Sequence, residues 1–292
     1  MRTYSSKLLL FGEYAIINGG NGLALPLNAF GAQWSHYNIY SVNAEKSRQS
    51  LYQLYNYILE HPTLSLLCNC EKLKADLDKG VWISSNIPQG YGLGSSGAIS
   101  AAIYDTYFEK DSDLSIVKAH LASIECCFHG KSSGLDPIVS YTNSCILVED
   151  NIPKPIEHYI KGDFDIYLLD TKLARNSTPL IAQYLEKSQN EDFAKALYDY
   201  KNYNDACIAA FLKGDKKALQ EKLYNLSLWQ WQYFDFLIPK PCKGDWENAL
   251  RDKSYIFKIC GAGGGGYMLV FDFERKETFE QLKTIVPLQK IF

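Results

Sequence analysis

Pro88-Gln89-Gly90-Tyr91-Gly92-Leu93-Gly94-Ser95-Ser96-Gly97-Ala98 joins an alternating apolar run, Val81 to Ile87, to an apolar helical pattern over Ala98 to Tyr107. Backbone N–H groups exposed by so tight a turn, added to those at a helix start, make a site for a multiply charged anion. The alternative is a plain strand-to-helix connection whose serines cap the helix. One cap residue would suffice for that, whereas glycine stands here at 90, 92, 94 and 97, each at an entropic cost. Close approach of backbone to a ligand explains them better. The hydroxyl of Ser95 or Ser96 could also ligate a magnesium ion carried by nucleotide phosphates. No Gly-Lys-Ser or Gly-Lys-Thr ends the run, so it is not a P-loop, and it is not the dinucleotide fingerprint.

Working outward, a second constellation is Glu125 with His129-Gly130-Lys131-Ser132-Ser133-Gly134-Leu135-Asp136. Glu125 stands among Ile124, Cys126, Cys127 and Phe128, where an unpaired carboxylate is costly without a cation. Magnesium held by Glu125, a serine hydroxyl and triphosphate oxygens would satisfy it, and Asp136 could then accept a proton from an attacking alcohol. The alternative is a surface glutamate plus an aspartate that caps the next element. Lys7 opens the first apolar run; beside an aspartate it would keep that group ionised and neutralise a transferring phosphoryl group. Glu13 and Tyr14 follow a strand break, a common place for substrate-facing groups. Lys172 and Arg175, with Thr178 nearby, follow a strand end at Asp170 and form either a phosphate- or carboxylate-facing cluster or a solvated surface. The third glycine segment, Lys258 to Tyr267, holds Gly261-Ala262-Gly263 and four consecutive glycines, more than a tight hairpin requires.

Composition narrows the classes. The chain has 292 residues, 47% hydrophobic and 22% charged, with a net charge of -3. That describes an ordinary globular chain, and without a basic patch among its aromatic residues it is not expected to bind nucleic acid. No apolar stretch reaches the about 18 residues that span a bilayer, and the start Met1 to Lys7 does not read as a signal peptide. The eight cysteines contain no Cys-x-x-Cys pair, so reduced thiols in the cytoplasm are expected rather than disulfides or zinc.

The element pattern is α+β with two domains, 1–152 and 153–292, meeting near the polar, proline-bearing stretch Glu149 to Pro155. Strands are predicted over Lys7 to Phe11, Leu23 to Leu27, Ala32 to Val42, Val81 to Ile87, Cys145 to Val148, Phe164 to Leu169, Tyr255 to Ile259 and Tyr267 to Phe271, with Tyr14 to Ile17 continuing apolar after the break. Helices are predicted over Ser50 to Leu59, Ala98 to Tyr107, Leu114 to Phe128, Thr178 to Leu185, Phe193 to Leu212, Lys217 to Phe236 and Lys276 to Ile285. Lys131 to Asp136 reads as a tight turn.

Together, Lys7 to Gly19, Pro88 to Ala98 and Lys258 to Gly266 resemble, in order and spacing over nearly the whole chain, the three motifs of the small-molecule kinases named for galactokinase, homoserine kinase, mevalonate kinase and phosphomevalonate kinase. Within that group Glu125, His129-Gly130 and Ser133-Gly134-Leu135-Asp136 look most like the mevalonate kinase pattern. The resemblance implies a ribosomal protein S5 domain 2-like N-terminal domain and a ferredoxin-like C-terminal domain, with the active site in the cleft between them. It implies Asp136 as catalytic base with Lys7 as its partner, and Ser96 and Glu125 as magnesium ligands. ATP would lie on Pro88, Gly90, Gly92, Leu93, Gly94, Ser95, Ser96, Gly97 and Ala98. The acceptor alcohol would meet Glu13, Tyr14, His129, Ser133, Gly134, Lys172, Arg175, Thr178, Gly261, Ala262 and Gly263. A homodimer is compatible with it.

Departures from the pattern are Tyr14 where histidine is usual, Ser132 for proline, Pro137 for asparagine, Asn143-Ser144 for a glycine pair and Lys172 for glycine. None removes a group needed for phosphoryl transfer. They leave a phosphorylated acceptor, as in phosphomevalonate kinases, as the alternative to mevalonate. A decarboxylase on the same framework fits less well, because the Glu125 motif is intact. A non-catalytic nucleotide- or sugar-binding protein need not keep Lys7, Glu125 and Asp136 together.

Overall fold

Every residue of the first strand, Thr3–Phe11 (β1), is buried except Thr3 and Leu9, as expected of a strand covered on both faces. A computed structural model describes residues 2–36, 42–157, 162–175, 177–253, 255–274, 279, 282 and 288–291. β1 pairs in a five-stranded sheet with Gly22–His36 (β2), Val81–Ser85 (β3), Cys145–Glu149 (β4) and Ile152–Ile156 (β5). The order is β1-β2-β4-β5, with β3 antiparallel to β2 so that Ala32 faces Ser85 and His36 faces Val81. A four-stranded antiparallel sheet contains Asp165–Asp170 (β6), Tyr255–Ile259 (β7), Tyr267–Asp272 (β8) and Leu288–Lys290 (β9) in the order β7-β8-β6-β9. The chain is therefore α+β, with two sheets.

The described helices are Val42–Glu60 (α1), Leu64–Leu67 (α2), Cys70–Asp78 (α3), Ser95–Tyr107 (α4), Leu114–His129 (α5), Leu135–Thr142 (α6), Ser177–Lys187 (α7), Glu191–Lys213 (α8), Lys216–Tyr233 (α9) and Lys243–Asp252 (α10). None of them is long and apolar enough to cross a membrane. Two compact units are present. One comprises Met1–Leu8, Ala24–Pro88 and Leu93–Ile146, and the other Leu9–Leu23, Gln89–Gly92 and Leu147–Phe292.

Several predicted elements change form. Gly12 ends the usable extended backbone at a φ of 115°, and Tyr14 follows at 59°, so the apolar run to Ile17 becomes a turn and a short 3-10 helix, Ile16–Asn18. The strands predicted over Leu23 to Leu27 and Ala32 to Val42 join as one strand, β2, that tolerates Pro26 and Gly31 and ends at His36; positions 37–41 lie outside the described residues, and Val42 opens α1 instead. The polar stretch Glu149 to Pro155 closes a hairpin, because Asp150 and Asn151 accept left-handed φ values of 50° and 63°, the geometry of a two-residue connection. Asp136 lies in the first turn of α6 rather than in a loop. The helix predicted over Lys276 to Ile285 lies outside the described residues apart from positions 279 and 282.

In the first unit, α4 buries Gly97, Ala98, Ala101 and Ala102, a small-residue face that lets α5 and α6 approach closely. In the second, Gly214 ends α8 and the Asp215 carboxylate accepts the Ala218 N–H at 3.0 Å to start α9, so the two helices form a hairpin. Trp246 of α10 stacks on Phe257 of β7 with ring centroids 5.8 Å apart.

Inside this second core lies an ion pair with both side chains fully buried: Lys258 Nζ is 2.5 Å from Glu13 Oε1. The ammonium also donates to the Ile259 carbonyl at 2.8 Å, and the Tyr200 hydroxyl donates to the Glu13 carbonyl at 2.7 Å. Burial pushes the Glu13 carboxyl up, and the Lys258 charge and the Gly261 N–H oppose that push. Removing one partner strands a charge in the core. Lys258→Met is therefore expected to cost about 3–5 kcal/mol in urea unfolding, while Glu13→Gln with Lys258→Met together costs less than the sum of the single changes. Simple additivity would show that the pair carries no coupling.

Candidate active site

In the first unit, β1 and α6 meet at matched spacings. Lys7 Nζ lies 2.6 Å from Asp136 Oδ1, and the Ser140 hydroxyl donates to the Ser5 carbonyl at 2.7 Å. Two strand residues advance about 6.7 Å and four helical residues about 6 Å, so both contacts form without bending either element. The Lys7 N–H donates to the Leu93 carbonyl at 2.9 Å, tying the glycine-serine turn to the same strand. The Lys7 side chain is 8% exposed and that of Asp136 29%, so the carboxylate remains reachable while its partner is sheltered.

The turn enters α4 at Gly94, whose φ of 70° makes it an N-cap without a side chain. Ser95 and Ser96 are thus the first two residues of the helix and do not cap it, and the cap position adds no side-chain acceptor for the first-turn N–H groups. A Cβ at Gly97 would lie 2.8 Å from the Asp136 carbonyl carbon, which is why only glycine allows α4 to abut the start of α6.

The Ser96 hydroxyl donates to Glu125 Oε1 at 2.8 Å, and the Ser132 hydroxyl donates to Oε2. His129 Nε2 is 2.9 Å from Ser96 Oγ. With the serine proton directed at Glu125, the network assigns the histidine proton to Nε2. Ser132 Oγ accepts the Gly134 N–H at 2.9 Å and Ser133 Oγ the Leu135 N–H at 3.3 Å, which shapes the turn into α6. Burial, then the negative charge of Asp136, push the Glu125 carboxyl up to about 7, against the two serine hydroxyls and Lys7.

Lys7, Ser96, Glu125, His129 and Asp136 are therefore drawn into one cluster. Ser132 belongs to it and was missed; its only signal was a hydroxyl standing where the resemblance expects proline. Among the described residues no group of three or more His, Cys, Asp and Glu side chains is arranged to hold a metal unaided. The Glu125 carboxylate with two serine hydroxyls is a hard, incomplete oxygen set. It suits a cation that brings phosphate and water as its remaining ligands.

In the second unit, the remaining candidates are engaged with one another. The Arg175 guanidinium donates to the Cys260 carbonyl at 2.7 Å, and its N–H donates to the Gly90 carbonyl at 3.2 Å. A Cβ at Gly92 would fall 1.5 Å from the guanidinium, so Arg175 occupies the space that glycine leaves. Tyr14 packs its ring 4.4 Å from that of Tyr184 and donates its hydroxyl to the Ala262 carbonyl at 2.8 Å. Gly264 and Gly266 donate their N–H groups to the Leu237 and Leu173 carbonyls. Glu13 and Tyr14, expected to face substrate, are both buried and act as supports of the Gly261-Ala262-Gly263 loop.

Lys172 is exposed, has a left-handed φ of 58°, and pairs with Asp170 at 2.6 Å. Thr178 is exposed at the start of α7. The strongest omission is Lys258. A lone cation inside an apolar run, Tyr255 to Ile259, demands a buried anion, and that signal was present in the sequence.

Residues 56–144 match the model of the GHMP kinases N terminal domain. A mevalonate kinase of Thermococcus gammatolerans is 26% identical over 183 residues, covering 55% of this chain and 51% of that protein. The chain thus spans about half the length of that curated relative. A mevalonate kinase of Archaeoglobus fulgidus is 25% identical over 276 residues, covering 89% and 88%. The crystal structure of L. major mevalonate kinase with R-mevalonate superposes with a TM-score of 0.71 at 15% identity, covering 99% of this chain and 94% of that one. A Streptococcus pneumoniae phosphomevalonate kinase solved with phosphomevalonate and AMPPNP gives 0.65 at 15% identity, covering 100% and 98%. Residues 56–144 are thus similar to a GHMP kinase N-terminal domain, and the chain as a whole shares the fold of these kinase structures.

Proposed function

We propose that this chain is an ATP- and magnesium-dependent kinase that phosphorylates the primary hydroxyl of mevalonate in the cytoplasm. Residues 1–152 would carry the nucleotide and catalytic groups, and 153–292 would complete the enzyme. The observation that carries the reading is the single cluster of Lys7–Asp136 with Ser96–Glu125–Ser132 at the start of α4.

In this reading Asp136 accepts the proton of the attacking alcohol, with Lys7 paired to it at 2.6 Å. The N–H groups of Ser95, Ser96 and Gly97 at the start of α4 receive phosphate oxygens, aided by the helix dipole. Glu125 and Ser96 would hold the magnesium ion. When bound, the ion neutralises charge on the phosphate oxygens. His129 adds a second hydrogen bond to the Ser96 hydroxyl beside the one to Glu125.

A phosphorylated acceptor needs additional cations. Of the candidates Lys131, Lys172 and Arg175, Lys172 pairs with Asp170 and Arg175 donates to the Cys260 carbonyl, which supports the unphosphorylated acceptor, while Lys131, exposed beside Ser132, is the cation on which the phosphorylated alternative rests. A coupled ADP-release assay over mevalonate, phosphomevalonate, homoserine and several sugars tests this directly. Turnover of mevalonate alone supports the reading, and preference for phosphomevalonate would replace it.

Asp136→Asn is expected to keep the thermal unfolding transition and lose turnover by about 10²-fold or more. A nearly active variant would remove Asp136 from the role of base. Below pH about 7 a proton competes for Glu125, so apparent magnesium affinity should fall about tenfold per pH unit and level off above it. Magnesium titrations of Glu125→Gln should show a raised requirement without that slope.

The same carboxyl predicts a stability effect. Because its folded-state pKa is raised, its contribution to stability is lost as pH rises from the usual carboxylate range through about 7. Glu125→Gln should therefore unfold at or above the wild-type temperature at pH 8, with the difference closing by pH 5. A variant that is less stable at pH 8 would contradict the electrostatic account.

A further inference from the structure

Cys68-Asn69-Cys70 forms the connection from α2 to α3, beside the C-terminal end of α4. Asn69 donates its N–H to the Tyr107 carbonyl at 2.7 Å, and Cys68 pairs with Phe108 in an isolated bridge. Ser96 lies near the other end of that 13-residue helix, about 16 Å along its axis at the α-helical rise.

Asn69 has φ −74° and ψ 75°, the geometry of an inverse γ-turn, and the Cys70 N–H closes it on the Cys68 carbonyl at 2.8 Å. Two virtual bonds of about 3.8 Å, folded this tightly, hold the flanking Cα atoms within the about 4.4–6.8 Å that a disulfide spans. Both residues are half-exposed, whereas Cys145, Cys207, Cys242 and Cys260 are buried.

The two sulfurs differ in setting. Burial and its neighbour push the Cys68 thiol up, so it stays protonated until a reaction draws it in. Cys70 is the first residue of α3 and is half-exposed there. A cavity of 460 Å³ opens on Cys68, lined also by Leu66, Asn69, Lys72, Tyr107 and Glu109. Lys72 holds its ammonium 4.9 Å from the centre of the Tyr107 ring, offering a cation to an anionic peptide disulfide.

We propose that Cys68 and Cys70 are a redox modification site that closes reversibly to an intramolecular disulfide, with a low-molecular-weight disulfide such as oxidised glutathione as oxidant. The Cys70 thiolate attacks one sulfur of the oxidant, breaks its S–S bond and expels one thiolate, which is protonated. Cys68 then loses its proton to water, attacks the Cys70 sulfur and expels the second thiolate. Two protein thiols are oxidised and one external disulfide is reduced to two thiols. The ring so formed is small and strained, so an excess of reduced glutathione reopens it.

The test uses the reduced full-length protein and oxidised glutathione, followed by intact-mass and alkylation mapping, and needs no enzymatic activity. The expected result is a loss of about 2 Da, a peptide with Cys68 joined to Cys70, and full reversal by dithiothreitol. Cys68→Ser should stop at a glutathione adduct on Cys70, and Cys70→Ser should leave Cys68 unmodified. A lasting adduct on the wild-type chain, a bridge elsewhere such as Cys126 to Cys127, or an unchanged mass would each overturn the proposal.

Discussion

The missing side chain at residue 97 governs the first unit. With no Cβ there, the backbone of α4 meets the first turn of α6 at Asp136, and the helix start, the carboxylate and β1 come together as one rigid corner. Lys7 and Ser140 then close on that corner from strand and helix at nearly equal spacings. Any side chain at 97 would have to move one of these backbones. The glycine is therefore a packing element first and, through Asp136, a chemical one.

Glu13 and Glu125, two of the buried carboxylates among the described residues, solve the same electrostatic problem differently. Glu13 is paired with Lys258 at the full expense of both side chains' exposure, and its chemistry ends there. Glu125 has only two neutral hydroxyls, with Asp136 nearby adding repulsion, and its proton affinity rises accordingly. A carboxylate supplied with its own cation serves the fold. One left with hydrogen bonds alone is suited to a cation that arrives with a ligand.

The sequence was legible where one residue type has few physical excuses. Glycine at 90, 92, 94 and 97 and acids within apolar helices pointed to the cluster, and Lys7 with Asp136 emerged from the same reading. Legibility failed where a residue accepts an unfavourable backbone. Tyr14 and Lys172 in left-handed conformations cannot be inferred from side-chain pattern, and Asp150-Asn151 read as a boundary because polarity and proline suggest both loops and hairpins. Long-range pairing was the other blind spot. Neither Glu13 nor Lys258 announces its partner, although each taken alone is implausible without one.

That buried pair also sets a timetable for the chain's birth. Glu13 leaves the ribosome early, while Lys258 is synthesised 245 residues later (258 minus 13). At about 5–20 residues per second, the carboxylate waits on the order of ten to fifty seconds for its cation. Residues 9–23 belong to the same unit as 147–292, so this segment finds its final environment only once that later stretch has been made. Phe11, whose ring ends beside those of Phe211 and Phe271, waits over the same interval for its packing partners.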